Sequence, residues 1–226
     1  PFKTVKYAVS KVINKGIVYI SNGTYYESDI LVNKDITIIN LAYNNAIINN
    51  STNIPNGNVV INGNGGQIFN VTKNAKLTVN GLHFTGAVAD DGSVFYNNGF
   101  LSVKDCNFFE NTVNNYGGVA VNYGTLLIEN SEFSFNTAYR GGVIDNFGNL
   151  TIFSSNFHNN SVYMNGSGAV IFSHDNSIIN IIKSKFTSNS ANKANTDPIY
   201  QTTDENRISY GSGGVIYNLG SLYIYD

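Results

Sequence analysis

From Gly117 to Asn136 the chain reads GGVAVNYGTLLIENSEFSFN, and from Gly141 to Asn160 it reads GGVIDNFGNLTIFSSNFHNN, so apolar and polar positions recur in the same order 24 residues on. With the phenylalanine as anchor, the repeat runs through Phe84, Phe108, Phe133, Phe157 and Phe186 at spacings of 24, 25, 24 and 29. Five residues before each anchor stands Val79, Val103, Ile128, Ile152 or Ile181, and two before that stands Leu77, Leu101, Leu126, Leu150 or Ile179. Three residues after it come Asn111, Asn136, Asn160 and Asn189, and Leu222 with Ile224 opens a further copy. Within each copy the apolar residues alternate (LTV, LSV, LLI, LTI, INI, LYI), which is the two-residue period of a strand. Turn signals such as NNG at 97, NYG at 122, NFG at 146 and NLG at 218 separate the strands.

A hairpin meander would use the same turns but gives no reason for one residue type to recur at one phase. If each copy instead makes a full turn of a coil, equivalent residues fall ~4.8 Å apart in neighbouring parallel strands. A 24-residue loop cannot bury its own apolar face, whereas columns of Phe, Leu and Val/Ile shared between copies make a continuous core. Each buried side chain of this kind contributes roughly 1.5 to 3 kcal/mol. The Asn column is expected to be structural, with amides bonded along the stack and a side chain tolerant of left-handed corners.

The predicted fold is therefore all-β: a right-handed parallel β-helix, a solenoid of about 24 residues per coil, with an N-terminal amphipathic capping helix. Residues 1–226 form one domain, with the cap at 1–16, irregular first coils at 17–64, and regular repeats at 65–226 interrupted by an inserted loop near 188–212. In the cap, Val5, Ala8, Val9, Val12 and Ile13 share one helical face, and the helix is expected to end at Gly16 after about three turns. Short strands are expected at 17–21, 29–32, 35–40, 46–49 and 58–62. At the other end Tyr223 to Asp226 would leave a bare strand edge, which suggests a fragment whose repeats continue in a longer protein.

Composition narrows the function. Charged residues make up 12% and the net charge is -2 with no basic cluster, which argues against a nucleic-acid partner. No apolar run is long enough to span a membrane, and membrane insertion of this segment is not expected. Cys106 is the only cysteine, so there is no disulfide framework and no thiolate metal site, and it reads as a small buried residue. Neither a cofactor nor a metal is expected.

The N-terminal stretch YAVSKVINKGIVYISNGTYYESDILVNKDITIIN, followed by repeated GGVIxNxGxLxIxxSxFxxN, resembles the pectin-lyase-like right-handed parallel β-helices. More narrowly it resembles the adhesin-like surface proteins of methanogenic archaea and the polymorphic outer-membrane-protein repeats of bacteria. The resemblance covers essentially the whole chain. It implies an extracellular location at the cell surface or cell wall. It also implies a monomeric module of a larger adhesin, whose partner is a glycan or protein of a host or neighbouring cell. Asn22, Asn50, Asn70, Asn149, Asn159 and Asn165 each open an N-x-S/T acceptor, in keeping with the exterior.

The same fold houses polysaccharide lyases and glycoside hydrolases, so a carbohydrate-active enzyme is the alternative, to be tested on residues. Glycosidases need two carboxylates flanking one bond. Asp105, Glu129 and Glu132 fall at different offsets from their anchors, Asp90 and Asp91 fall in a linker between copies, and His83 and His158 read as exposed outer-face positions. The best constellation is Asp145 with His174, both twelve residues before an anchor, together with Asp175, which takes the place of the turn asparagines; Arg140 lies five residues before Asp145. The hydrolase signature of an Asp pair near G-H-G is absent, and a non-enzymatic reading is preferred. Ligand-contact candidates are thus Asp145, His174 and Asp175, with Tyr200, Arg207 and Tyr210 from the inserted loop.

Overall fold

In a computed structural model, residues 2–48, 59–163, 166–191 and 214–226 are described. Among them the fold is all-β, with four sheets whose paired strands all run parallel. The first sheet has eight strands, from Gly16–Ile20 to Ser221–Tyr225. The second has seven, from Ile30–Val32 to Ile216–Asn218. The third also has seven, from Gly23–Tyr26 to Lys185–Thr187. The fourth has five, from Val88–Asp91 to Ser190–Ala191. One copy of the repeat visits all four in turn: Ala120–Asn122 in the second, Thr125–Glu129 in the first, Glu132–Ser134 in the third, Thr137–Ala138 in the fourth.

Register follows the repeat. Leu101 pairs with Leu77 and Leu126, Val103 with Val79 and Ile128, and Phe108 with Phe84 and Phe133. The rings of Phe84, Phe108, Phe133, Phe157 and Phe186 stack with centroids 5.0, 4.6, 4.6 and 4.9 Å apart and planes within 11°. These columns are the core: Phe84, Leu77, Val79, Leu150, Ile152 and Phe157 are all completely buried.

Three polar columns are buried beside them. Asn111, Asn136 and Asn160 each donate Nδ2 to the Oδ1 of the next asparagine, ending at Asn189, at 3.0 to 3.1 Å. The same Oδ1 atoms accept backbone N–H groups of the preceding copy, and each Nδ2 also reaches a phenylalanine carbonyl, so the buried amides of Asn111 and Asn136 are satisfied. The corner geometry expected of these asparagines falls one residue earlier: Glu110, Phe135, Asn159 and Ser188 carry the positive φ. Asn97, Asn122 and Asn146, read as turns, form a second buried ladder that ends on Ser173. A third runs through Ser131, Ser155 and Ser184, with Cys106 at its head, buried and with its thiol pushed up to about 12 by desolvation.

The glycine pair heading each copy has two separate reasons. Gly117 and Gly141 sit at φ 64° and 60°, the left-handed region. Gly118 and Gly142 lack that φ but are sites of close approach to the next copy, since a Cβ there would lie 2.1 Å from the carbonyl oxygen of Gly142 or Ala169, while a Cβ on Gly117 or Gly141 would also meet a carbonyl oxygen of its own copy, at 2.1 or 2.3 Å.

The N-terminal third departs from expectation twice. The cap, α1 (Val5–Lys11), is shorter than predicted. It buries Val5, Ala8 and Val9, but Val12 has turned extended and Ile13 is 78% exposed. Of the strand expected at 46–49, residues 46–48 belong instead to α2 (Leu41–Ile48), begun by Asn40, whose Oδ1 accepts the Ala42 N–H at 2.9 Å, and residue 49 lies outside the described residues. Tyr43 on α2 is buried, lies over Gly81 where any Cβ would collide with its ring, and donates its hydroxyl to Asp105. Packing against the repeats thus overrides the β-branched composition of the segment. At the other end, Ser190–Ala191 still pairs with Ser161–Val162, so the regular repeat runs through the start of the expected insertion.

Gly117→Ala should therefore lower stability by ~1–3 kcal/mol. Gly214→Ala, where nothing among the described residues approaches a new Cβ, should stay within ~0.5 kcal/mol of wild type. Urea unfolding of both variants checks the pair. In the same assay Asn136→Asp should cost more than Asn136→Ala, because the ladder then holds a buried carboxylate that cannot donate to Asn160.

Candidate binding face

Three columns on the outside of the second and fourth sheets build the site. Asp91, Tyr116 and Arg140 are each the residue just before a leading glycine. Tyr116 pairs with Asp91 on one side and bridges to Arg140 on the other, so the three form one column on the fourth-sheet side. Tyr96, Val121, Asp145 and Phe172 form the second column, as the middle residues of consecutive second-sheet strands. Tyr123, Phe147 and His174 form the third, on the turns that lead to the first sheet. Their stacking places centroids 4.5 Å apart for Tyr123 and Phe147 and 3.6 Å apart for Phe147 and His174.

The three columns converge on Asp145, which the structure buries completely, between register neighbours Val121 and Phe172 that are buried as well. Its Oδ2 accepts from Arg140 Nη2 at 3.2 Å and its Oδ1 meets His174 Nε2 at 3.1 Å. The Arg140 guanidinium lies between the Tyr116 and Phe172 rings, 3.9 and 4.3 Å from their centroids. Its Nε is buried without a hydrogen-bond partner among the described residues. Burial raises the Asp145 carboxyl above its ordinary value against the pull of Arg140 and His174. Asp145, expected as a ligand contact, is sealed from solvent and holds the two side chains instead.

The counting that paired Asp145 with His174 needs correction even though the two touch. Asp145 is in register with Phe172, and Ser173, not Asp175, takes the asparagine place beside Asn146. The turn after Ser173 is two residues longer than the turn after Asn146, since Asn149 pairs with Ile178. Asp175 sits at the exposed tip of that turn, apart from the cluster's hydrogen bonds. Tyr200, Arg207 and Tyr210 lie outside the described residues.

Asp90 and Asp91 also differ from the reading. They belong to the strand Val88–Asp91 rather than a linker, and with Gln67, Asn70, Ala89 and Tyr96 they line an open depression of about 350 Å³. Burial raises the Asp91 carboxyl, opposed by the Tyr116 N–H that bonds its Oδ1 at 3.2 Å. Tyr116, Phe172 and Asp91 were missed, and the signal for Tyr116 and Asp91 was their shared place before the glycine. The histidines are less exposed than expected. His83 is half-buried, lies 3.2 Å from Asn107 Nδ2 and has its basicity lowered by desolvation, while His158 meets Glu132 at 2.7 Å. Of the six acceptor asparagines, Asn22, Asn70, Asn149 and Asn159 are exposed and Asn50 and Asn165 lie outside the described residues.

Among the described residues no group of three or more His, Cys, Asp or Glu side chains could hold a metal ion, and no helix is long and apolar enough to cross a membrane. No protein-family model, curated protein or solved structure matches the chain.

Asp145→Ala strands Arg140 in a buried setting and should cost ~3–5 kcal/mol, whereas Asp175→Ala should change stability by less than ~0.5 kcal/mol. The raised Asp145 carboxyl also fixes a sign. The folded chain binds this proton more readily than the unfolded chain, so the contribution of the group is greatest below the unfolded value near ~4 and declines as pH rises through the folded value. Urea midpoints of wild type minus Asp145→Asn, measured across that range, should fall with rising pH.

Proposed function

We propose that the chain is a right-handed parallel β-helical rod of about eight coils, serving as a non-enzymatic module of an extracellular, cell-surface adhesin. Its partners are glycans or proteins of a host or neighbouring cell. The observation that carries this reading is the face just described, where Asp91, Tyr96, Tyr116, Arg140 and His174 are held on successive copies of a stacked backbone. Side chains fixed in this way lose little freedom on binding, which favours recognition. Binding is favoured over hydrolysis because Asp145, the acid on which a catalytic reading would rest, is sealed from solvent with both carboxylate oxygens engaged. The exposed acceptor asparagines suit an exterior location.

The test is a binding screen of the protein against immobilised glycans and intact cells, run beside incubation with pectins and cell-wall polymers with and without calcium. Saturable binding weakened by Arg140→Ala, with no polymer cleavage, is expected. Release of unsaturated or reducing ends would establish the enzymatic alternative, and absence of binding to every surface would overturn the adhesin reading.

A further inference from the structure

The helical cap leaves one job undone. Helix α1 covers the core with Val5, Ala8 and Val9, and Glu27 fixes it by accepting the N–H groups of Val5 and Lys6 at 2.5 and 2.6 Å. It does not pair with the sheet beneath. Among the described residues the first strand of the first sheet, β1 (Gly16–Ile20), is bonded to Ile36–Asn40 on one side only and is the outermost strand. Backbone donors and acceptors alternate in direction along a strand, so half of those of β1 point away from its partner. Between this edge and α1 lies a groove of about 360 Å³, lined by Val5, Ala8, Val12, Ile17 and Tyr19 together with the polar Thr4 and Ser21. Phe2 also lines it and packs edge-on against Tyr7 at 5.2 Å, and Lys11 stands at its margin over the Tyr7 ring.

Lys11 is the one charged residue among those lining the groove, and Glu27, at the start of α1, is engaged with the helix N–H groups. Lys3, Lys6, Lys11 and Lys15 fall within the first sixteen residues, which contain no acid, in a chain whose net charge is -2. An occupant must therefore satisfy three conditions together: an extended backbone with free N–H and C=O groups, apolar side chains on one face to fill the groove, and negative charge to meet Lys11. We propose that this edge is a strand-addition site for an extended peptide of alternating apolar and acidic residues, which joins the first sheet beside β1. Backbone bonds to β1 supply the affinity, and the groove with Lys11 selects the sequence. The site is separate from the face around Asp145 and stands or falls independently of it.

The probes are two soluble seven-residue peptides, one alternating valine with glutamate and one alternating valine with lysine, titrated onto the whole protein by fluorescence anisotropy. Amide hydrogen exchange is followed at residues 16–20. The glutamate peptide should bind roughly tenfold or more tightly than the lysine peptide, slow exchange across β1, and lose that preference in Lys11→Glu. Lys11 is an exposed helix position, so the variant should fold, and an unchanged melting curve checks it. Equal binding of the two peptides, or binding without protection of β1, overturns the proposal. Protection of β1 that grows with protein concentration in the absence of peptide also overturns it, in favour of a second copy on the same edge.

Discussion

In-register parallel pairing is the constraint from which the rest follows. It puts every inward side chain one strand spacing, ~4.8 Å, from its counterpart in the next copy, so a residue survives in a column only if it interacts well with itself. A flat ring does: Phe108 and Phe133 stack 4.6 Å apart and nearly coplanar. A primary amide does too, having a donor at one end and an acceptor at the other, which is why Asn111, Asn136 and Asn160 form a buried chain. A carboxylate or an ammonium cannot, because like charges at that distance in a buried setting repel strongly. The low charge content of 12% is a consequence of this rule as much as of any environment.

Outward columns escape the rule, and the chemistry of the molecule gathers where they do. Unlike neighbours then become useful: Lys104 meets Glu129 one copy away, and Arg140 follows Tyr116, which follows Asp91. Asp145 is the extreme case, an acid on an outward position that neighbouring side chains have roofed over. A buried pair of this kind stabilises weakly on net, since desolvation offsets most of the attraction. Its effect is to fix the positions of Arg140 and His174, and those fixed positions give the face its shape.

The columns were legible because a side chain that must match its own copy leaves an audible period: Phe84 to Phe186, Leu77 to Ile179 and the asparagines could be placed by counting. Counting failed wherever a copy changed length. Two extra residues after Ser173 shifted His174 by its full displacement, so an apparent equivalence with Asp145 was false while the contact between them was real. Tyr116 and Asp91 were within reach of the same method, had the residue before each leading glycine been followed as a column in its own right. Helix α2 was not, because its apolar residues read equally as strand, and what decides between the two is Tyr43 fitting over Gly81 at a distance in sequence no local pattern contains.

A stack built on one rule breaks it where a helix covers it, and at α1 it is broken in two separable ways. The last core layer needs apolar cover, and a helix supplies that with a few side chains. The last strand needs hydrogen-bond partners, and a helix cannot supply those, because its own N–H and C=O groups are already joined to each other. Covering the first need while leaving the second is what separates α1 from β1 by a groove rather than a seam. Exposed edges invite pairing with any extended chain, so Lys11 on the wall of the groove has a physical consequence: its charge disfavours basic strands and favours acidic ones, which makes the edge a selective surface.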